Sequence, residues 1–378
     1  MLYRTMPRTG DRVSILGFGC MRLPLDDEGG IDEPRAAAML RSAVDRGVNY
    51  IDTAWSYHNG DSEPVVGRAL EGGWRDKVLL ATKLPSWLVE KPSDMDYFLD
   101  EQLKRLRTDH IDYYLVHSLN ADRWANVKRN DYGRFLERAL ADGRIRRAGF
   151  SFHDGLPLFR EIVDDWPWHF CQIQYNFLDT NYQAGTEGLK YAAERGLGVI
   201  VMEPLRGGNL AQNVPDAMMS IWEESPRKLS PAGWALRWVW NHPEVGVVLS
   251  GMTIESDLED NMATAELGEP SSLTAEELDM IGRVAKQYRS RMKVGCTACQ
   301  YCMPCPAGVN IPECFNRYNM AFMFDDVERA RATYPVFVKR DARASVCVKC
   351  GVCEEKCPQN LPIREHLASV VELLESDR

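Results

Sequence analysis

The sequence predicts an α/β fold, a closed (β/α)8 or TIM barrel followed by a small, mainly α-helical, cysteine-rich domain, and three observations lead to it. Short apolar runs alternate with longer amphipathic stretches from Val13 to about Ala265. No Gly-x-Gly-x-x-Gly follows an early run, as an open dinucleotide-binding sheet would require. Nine of the 11 cysteines fall between Cys296 and Cys357, so the composition changes near residue 290.

The short runs are Tyr50-Ile51, Val78 to Ala81, Tyr113 to Val116, Ala148 to Phe150, Cys171 to Gln174, Val199 to Met202 and Val245 to Leu249. Between them, Ala36 to Val44, Phe98 to Leu106, Leu189 to Ala193 and Trp234 to Trp240 carry apolar residues at helical spacing. Gly47, Gly143, Gly196 and Gly198 stand where a helix ends before the next strand, the place of a C-cap glycine. Strand–helix alternation means a parallel sheet covered by helices. About eight such units over roughly 250 residues is the size of a closed barrel. Pro270 to Leu273 reads as a linker, and Thr274 to Glu277 as a capping box that opens a helix toward Arg291. A further helical stretch covers Ile311 to Thr333. The expected domains are residues 1–285 and 286–378.

Hydrophobic residues make up 45% and charged residues 26% of the 378, ordinary for a globular chain with a large core. The formal net charge of −10 argues against nucleic acid or an anionic membrane as partner, since both need a positive patch. Met1 to Gly10 has no apolar secretory core, and no apolar run approaches the roughly 20 residues of a membrane span. A cytoplasmic protein is expected.

The later cysteines form two motifs. The second, Cys347-x2-Cys350-x2-Cys353-x3-Cys357-Pro358, has the bacterial ferredoxin spacing for [4Fe-4S] clusters, proline included. The first, Cys296-x2-Cys299-x2-Cys302-x2-Cys305-Pro306, has a last gap shorter by one residue. In two-cluster ferredoxins the fourth cysteine ligates the other cluster. That rule assigns Cys296, Cys299, Cys302 and Cys357 to one cluster, and Cys347, Cys350, Cys353 and Cys305 to the other. Zinc ribbons use paired Cys-x2-Cys arms rather than triplets closed by Cys-Pro, and disulfides do not suit a chain without a secretory signal. Cys314, Cys20 and Cys171 read as core thiols.

Four polar residues fall at or just past strand C-termini: Asp52, Tyr57, Lys83 and His117. In this fold that end carries the active site. A lysine beside a tyrosine favours phenolate and so lowers the phenol pKa, an aspartate keeps the lysine charged, and a histidine can hydrogen-bond a carbonyl oxygen. The tyrosine then serves as general acid for a developing alkoxide. Singly, Asp52 reads as a helix cap and His117 as a core histidine; it is the set that points to chemistry. Trp55, Trp87 and His153 are candidates for lining a substrate site.

Gly47-Val-Asn-Tyr-Ile-Asp-Thr-Ala-Trp-Ser-Tyr-His58 resembles the first signature of the aldo/keto reductases, and Ala81-Thr-Lys-Leu and Leu115-Val-His-Ser resemble the next two active-site segments. The resemblance covers roughly residues 10 to 265. The whole chain is similar to the subgroup fused to a C-terminal ferredoxin-type domain. It implies the tetrad Asp52, Tyr57, Lys83 and His117, a carbonyl or alcohol substrate, and NAD(H) or NADP(H). Ser151 and Gln172 match nicotinamide contacts, whereas Phe152 replaces the family's asparagine, and Met202 stands where many members stack an aromatic ring. Glu203, Pro204, Leu205, Gly207 and Gly208 resemble the loop over the pyrophosphate. Ser250, Gly251, Met252, Asp257 and Asn261 resemble the adenosine-phosphate segment. Gly251 and Asp257 replace a lysine and an arginine of NADPH-preferring relatives, which favours NADH.

A nicotinamide delivers two electrons and each cluster normally takes one. Three readings follow: clusters that shuttle electrons to a substrate or to a flavin in the barrel, structural clusters beside ordinary carbonyl reduction, or an electron-transfer or redox-sensing module whose barrel is catalytically altered. A redox partner protein belongs to the first and last.

Overall fold

The structure, a computed structural model, describes residues 1–298 and 300–376. Strands β1 (Tyr3–Thr5) and β2 (Arg12–Ser14) form a small antiparallel hairpin. The barrel strands are β3 (Leu16–Gly19), β4 (Tyr50–Asp52), β5 (Leu79–Leu84), β6 (Ile111–Leu119), β7 (Ile145–Phe152), β8 (Phe170–Gln174), β9 (Gly198–Met202) and β10 (Val245–Ser250). They pair in parallel in that order, and β10 closes onto β3. Helices α1 (Glu33–Asp45), α2 (Ser62–Ala69), α3 (Pro92–Leu106), α4 (Ala121–Arg129), α5 (Tyr132–Ala141), α6 (Leu156–Asp165), α7 (Gly185–Glu194), α8 (Asp216–Glu223), α9 (Pro231–Trp240) and α10 (Glu255–Ala265) fall between or after the strands.

The chain divides into two units. The first is Met1–Ala211 with Leu229–Leu278; the second is Gln212–Lys228 with Asp279–Arg378. The segment carrying α8 thus groups with the second unit, although it lies inside the region the sequence assigns to the barrel. It belongs to an excursion between β9 and β10 that no residue pattern announces.

Inside the barrel, Tyr50, Ala81, Tyr113, Leu115, Phe170, Ile200, Val247 and Leu249 fill the lumen, with Met6 and Val13 from the hairpin. Every second strand residue faces inward, so these strands carry one side chain in two to the axis. Gly198 is the first residue of β9, not a helix cap. A Cβ there would press on the end of the Met6 side chain, which fills the space glycine leaves. Gly47, Gly143 and Gly196 do have positive φ and end their helices as expected.

In the second unit, after α11 (Ala275–Ser290), come α12 (Ile311–Met323), α13 (Val327–Phe337), α14 (Val352–Glu355) and α15 (Ile363–Val370). The capping box at Thr274 is present, with Glu277 N–H donating to Thr274 Oγ1 at 3.2 Å and Thr274 N–H to Glu277 Oε2 at 3.0 Å. The single helix expected over Ile311 to Thr333 is two, because Asp325 takes positive φ and Asp326 caps α13 through Arg329 N–H. Ile311, Cys314, Phe315, Tyr334, Ile363, Leu367 and Val370 share one core. Asn319 is buried in α12 and clamps the approach to Cys296: its Oδ1 accepts N–H bonds from Lys293 and Val294, both 2.9 Å. No helix among the described residues is long and apolar enough to cross a membrane.

Candidate active site and cluster cavities

The period of two places the site. One inward step beyond Tyr50 is Asp52, beyond Ala81 is Lys83, beyond Leu115 is His117, beyond Phe170 is Gln172 and beyond Ile200 is Met202. The residues that the sequence singles out therefore form the layer just above the apolar lumen, at the strands' C-terminal ends. Lys83 is wholly buried, and its Nζ donates to Asp52 Oδ1 and to the Thr53 carbonyl, each at 2.7 Å. Its ammonium lies 4.9 Å from the centre of the Tyr57 ring. The Tyr57 and His117 rings are 6.1 Å apart, edge to face.

Burial lowers the Lys83 ammonium, but Asp52 and Tyr57 outweigh it and hold the group above its ordinary value. Burial raises the Tyr57 phenol by more than Lys83 lowers it, so the net direction is up. This corrects the expectation that the neighbouring lysine leaves the phenol lowered: burial outweighs the cation. Burial first, then Lys83, His153 and Arg123, hold His117 well below the usual histidine range, so it is neutral at pH 7. Stripping water from a titrating group costs its charged form most, which is why burial leads in all three.

Around this layer Ser151 is buried and its Oγ accepts the Ser118 N–H at 2.6 Å. Phe152, in place of an asparagine, packs against Phe159 at 5.1 Å between ring centres. Gln172 Nε2 donates only to Met202 Sδ at 3.4 Å, and its Oε1 has no partner. Asp52 Oδ2 and His117 Nδ1 are likewise buried and unpaired. Buried polar atoms normally find a partner, and each one left over costs about 1–3 kcal/mol. Three of them at one barrel mouth fit a polar ligand such as a nicotinamide and a carbonyl.

After β9, Glu203, Arg206, Gly207 and Gly208 all take positive φ, and Pro204 and Leu205 complete the turn. Arg206 is tied to Asp179 at 3.2 Å. Ser250, the last residue of β10, accepts from Asn261 Nδ2 at 2.9 Å, and the Met252 side chain is wholly buried in the core. Asp257 Oδ2 accepts the Thr253 N–H at 3.3 Å, folded over the start of α10. One residue escaped sequence reasoning. The Arg22 stem lies against Gly251, where a Cβ would come within 3.1 Å of it, and Arg22 Nη2 is 3.3 Å from the Cβ position of Gly207. The exposed guanidinium spans the two loops of the expected cofactor site. Its position after β3, far in sequence from both, gave no signal.

The cysteines ring two separate cavities in the second unit. One is lined by Cys296, Cys302 and Cys357, with Phe315, Leu361 and Ile363. The other is lined by Cys305, Cys347, Cys350 and Cys353, with Ile311 and Leu367. Cys299 lies outside the described residues. Each cavity thus takes its fourth-motif cysteine from the other motif. The two motifs also repeat in backbone: Ala298 and Gln300 take positive φ after Cys296, as Lys349 and Gly351 do after Cys347. In each, the N–H two residues on donates to the first cysteine's Sγ at 3.4 Å. Among the described residues no three His, Cys, Asp or Glu side chains gather as the ligands of a single ion do. The thiols stand around a space, which suits a four-iron cube.

Residues 15–285 match the aldo/keto reductase family and residues 295–361 the 4Fe-4S dicluster domain. The chain is 31% identical to the aldo-keto reductase YhdN of Bacillus subtilis over 56% of its own length and 64% of that protein's. It is 28% identical to the methylglyoxal reductase YeaE of Escherichia coli, over 65% and 83% respectively. Among solved structures, the holo form of an aldo-keto reductase from Bacillus halodurans superposes with a TM-score of 0.63 at 27% identity, covering 75% of this chain and 96% of that one.

Proposed function

The chain belongs to the aldo/keto reductase family, and from that premise we propose that its barrel reduces a small carbonyl compound to the alcohol, with Tyr57 as proton donor. The observation that carries this is the Lys83–Asp52 pair beneath Tyr57, with His117 beside it and three buried polar atoms without partners in the same layer of the barrel. A bound nicotinamide supplies the hydride. Neutral His117 donates to the carbonyl oxygen, and Gln172 and Ser151 orient the nicotinamide amide. The Tyr57 hydroxyl gives its proton to the oxygen as the carbon is reduced, and Lys83, fixed by Asp52, offsets the charge left behind. The dicluster domain holds two [4Fe-4S] clusters on Cys296, Cys299, Cys302 and Cys357, and on Cys347, Cys350, Cys353 and Cys305; bound clusters supply one-electron chemistry.

Anaerobically purified protein should oxidise NADH in the presence of an aldehyde. NADH should bind more tightly than NADPH, because Asp257 meets the 2′-phosphate while Arg22 serves the diphosphate common to both. Asp257→Arg should then improve NADPH binding by about tenfold. Tighter NADPH binding by the unaltered protein overturns that electrostatic reading. Absence of aldehyde turnover, together with cluster reduction by a partner protein that Tyr57→Phe leaves unchanged, would favour an electron carrier instead.

The pH profile follows from the two shifts. His117 stays neutral until well below its usual range, and Tyr57 stays protonated beyond its own. Turnover in the reductive direction should therefore be flat from about pH 6 to about pH 9. A titration near the ordinary histidine value would show that His117 is open to water.

A further inference from the structure

The mouth of the barrel carries a cation that the tetrad does not use. Arg123 lies in the first turn of α4, just past β6, and is half-buried. Its Nη1 donates to the Ser118 carbonyl at 2.9 Å and to Ser118 Oγ at 2.5 Å. Ser118 holds φ of 55°, a strained value for a residue with a Cβ, and so turns both oxygens toward Arg123. The guanidinium lies 5.0 Å from the Trp87 ring centre, and Trp87 lies 5.3 Å from His117. Trp87 is 38% exposed, so this row of rings opens to solvent.

Among the described residues no carboxylate lies within salt-bridge distance of Arg123. The acids nearest in sequence and fold are otherwise engaged or outward: Asp122 is exposed, and Asp154 accepts the N–H groups of Ala121 and Gly155 at 2.9 and 2.6 Å. A half-buried guanidinium with three donors on Nε and Nη2 uncommitted, one aromatic ring from the histidine that faces the carbonyl, is built to receive a planar anion.

We infer that Arg123 selects substrates bearing an anionic group, a carboxylate or a phosphate, a few carbons from the carbonyl, with Trp87 as the floor between them. The inference rests on the carbonyl-reductase reading and names the substrate class of that site. The guanidinium binds the anion, Ser118 fixes the guanidinium, and the Trp87 face carries the apolar carbons.

Two matched pairs test it: 4-oxobutanoate against butanal, and glyceraldehyde 3-phosphate against glyceraldehyde. The unaltered protein should show a KM lower by about tenfold or more for the anionic member of at least one pair, and which pair it is separates a carboxylate from a phosphate site. Arg123→Met should remove that advantage, bringing the KM of the anionic member to that of its neutral partner, and Arg123→Lys should restore part of it. Calorimetric binding of 4-hydroxybutanoate and butan-1-ol, and of glycerol 3-phosphate and glycerol, to the same variants reads the site without turnover. Absence of turnover with a preserved anion preference in binding would sink the reductase reading and keep the anion site. Equal KM and equal binding within both pairs, or an equal shift of both members in Arg123→Met, overturns the inference.

Discussion

Tyr57→Phe is expected to lower the carbonyl-reduction kcat by about 10²–10⁴-fold, the usual worth of a positioned general acid. The ring stays and only the hydroxyl goes, so cofactor affinity and thermal stability should hold. Stopped-flow single turnovers with an aldehyde would read the chemical step directly; a loss smaller than about tenfold would pass the proton to another donor. The direction of the phenol shift matters here. Burial keeps Tyr57 protonated, and Lys83 only partly opposes it. Its value as an acid therefore comes from placement more than from a lowered pKa. Lys83→Met is a poorer test, since it leaves the Asp52 carboxylate buried without its cation, a loss of about 3–5 kcal/mol in stability.

The cluster cysteines give the second large effect. The intact protein should carry about eight iron atoms, and Cys357→Ser about four. Pairs of substitutions decide the crossing that the cavities suggest. If Cys357 shares a cluster with Cys302, then Cys357→Ser with Cys302→Ser still leaves about four irons, while Cys357→Ser with Cys353→Ser leaves almost none. Ligation confined to each motif predicts the reverse. Iron and sulfide analysis with low-temperature EPR of the reduced protein would read both. Because crossed ligands tie the motifs together, removal of the metal should unfold the helices that pack on Ile311, Phe315 and Leu367 as one cooperative step, visible as loss of helical circular dichroism.

The barrel was legible because its signals are local and repeated. Val78 to Ala81 and Val199 to Met202 are apolar because parallel strands are buried on both faces. Asp52, Lys83 and His117 announce themselves as polar residues that end such runs. The strand β3 was harder: Leu16–Gly19 is half glycine and shows no run. The hairpin β1–β2, at three residues a strand, shows none either. Cysteine spacing carried the second domain, since four-iron ligation fixes intervals in the chain. What sequence reasoning could not supply were residues defined by distant company. Arg22 and Gly207, separated by most of the barrel's sequence, meet where β9, β10 and β3 adjoin, and Arg123 gains meaning only from Trp87 and His117, which sit on other elements. In the segment after β10, Ser250 is held by Asn261 and Met252 fills the core, packing that the sequence pattern alone does not announce.

The excursion between β9 and β10 has a bearing on the order of synthesis. Gln212–Lys228 leaves the ribosome with the barrel unfinished, because β10, which must close onto β3, follows it. Its own unit resumes only after the 50 residues Leu229–Leu278 have been made. The segment carries Met218 and Trp222, both buried in the finished protein. The two units are thus interleaved in time as well as in the chain. The cysteine-bearing part is not added at one point of the chain, since any boundary drawn near residue 280 leaves Gln212–Lys228 on the barrel's side of the cut.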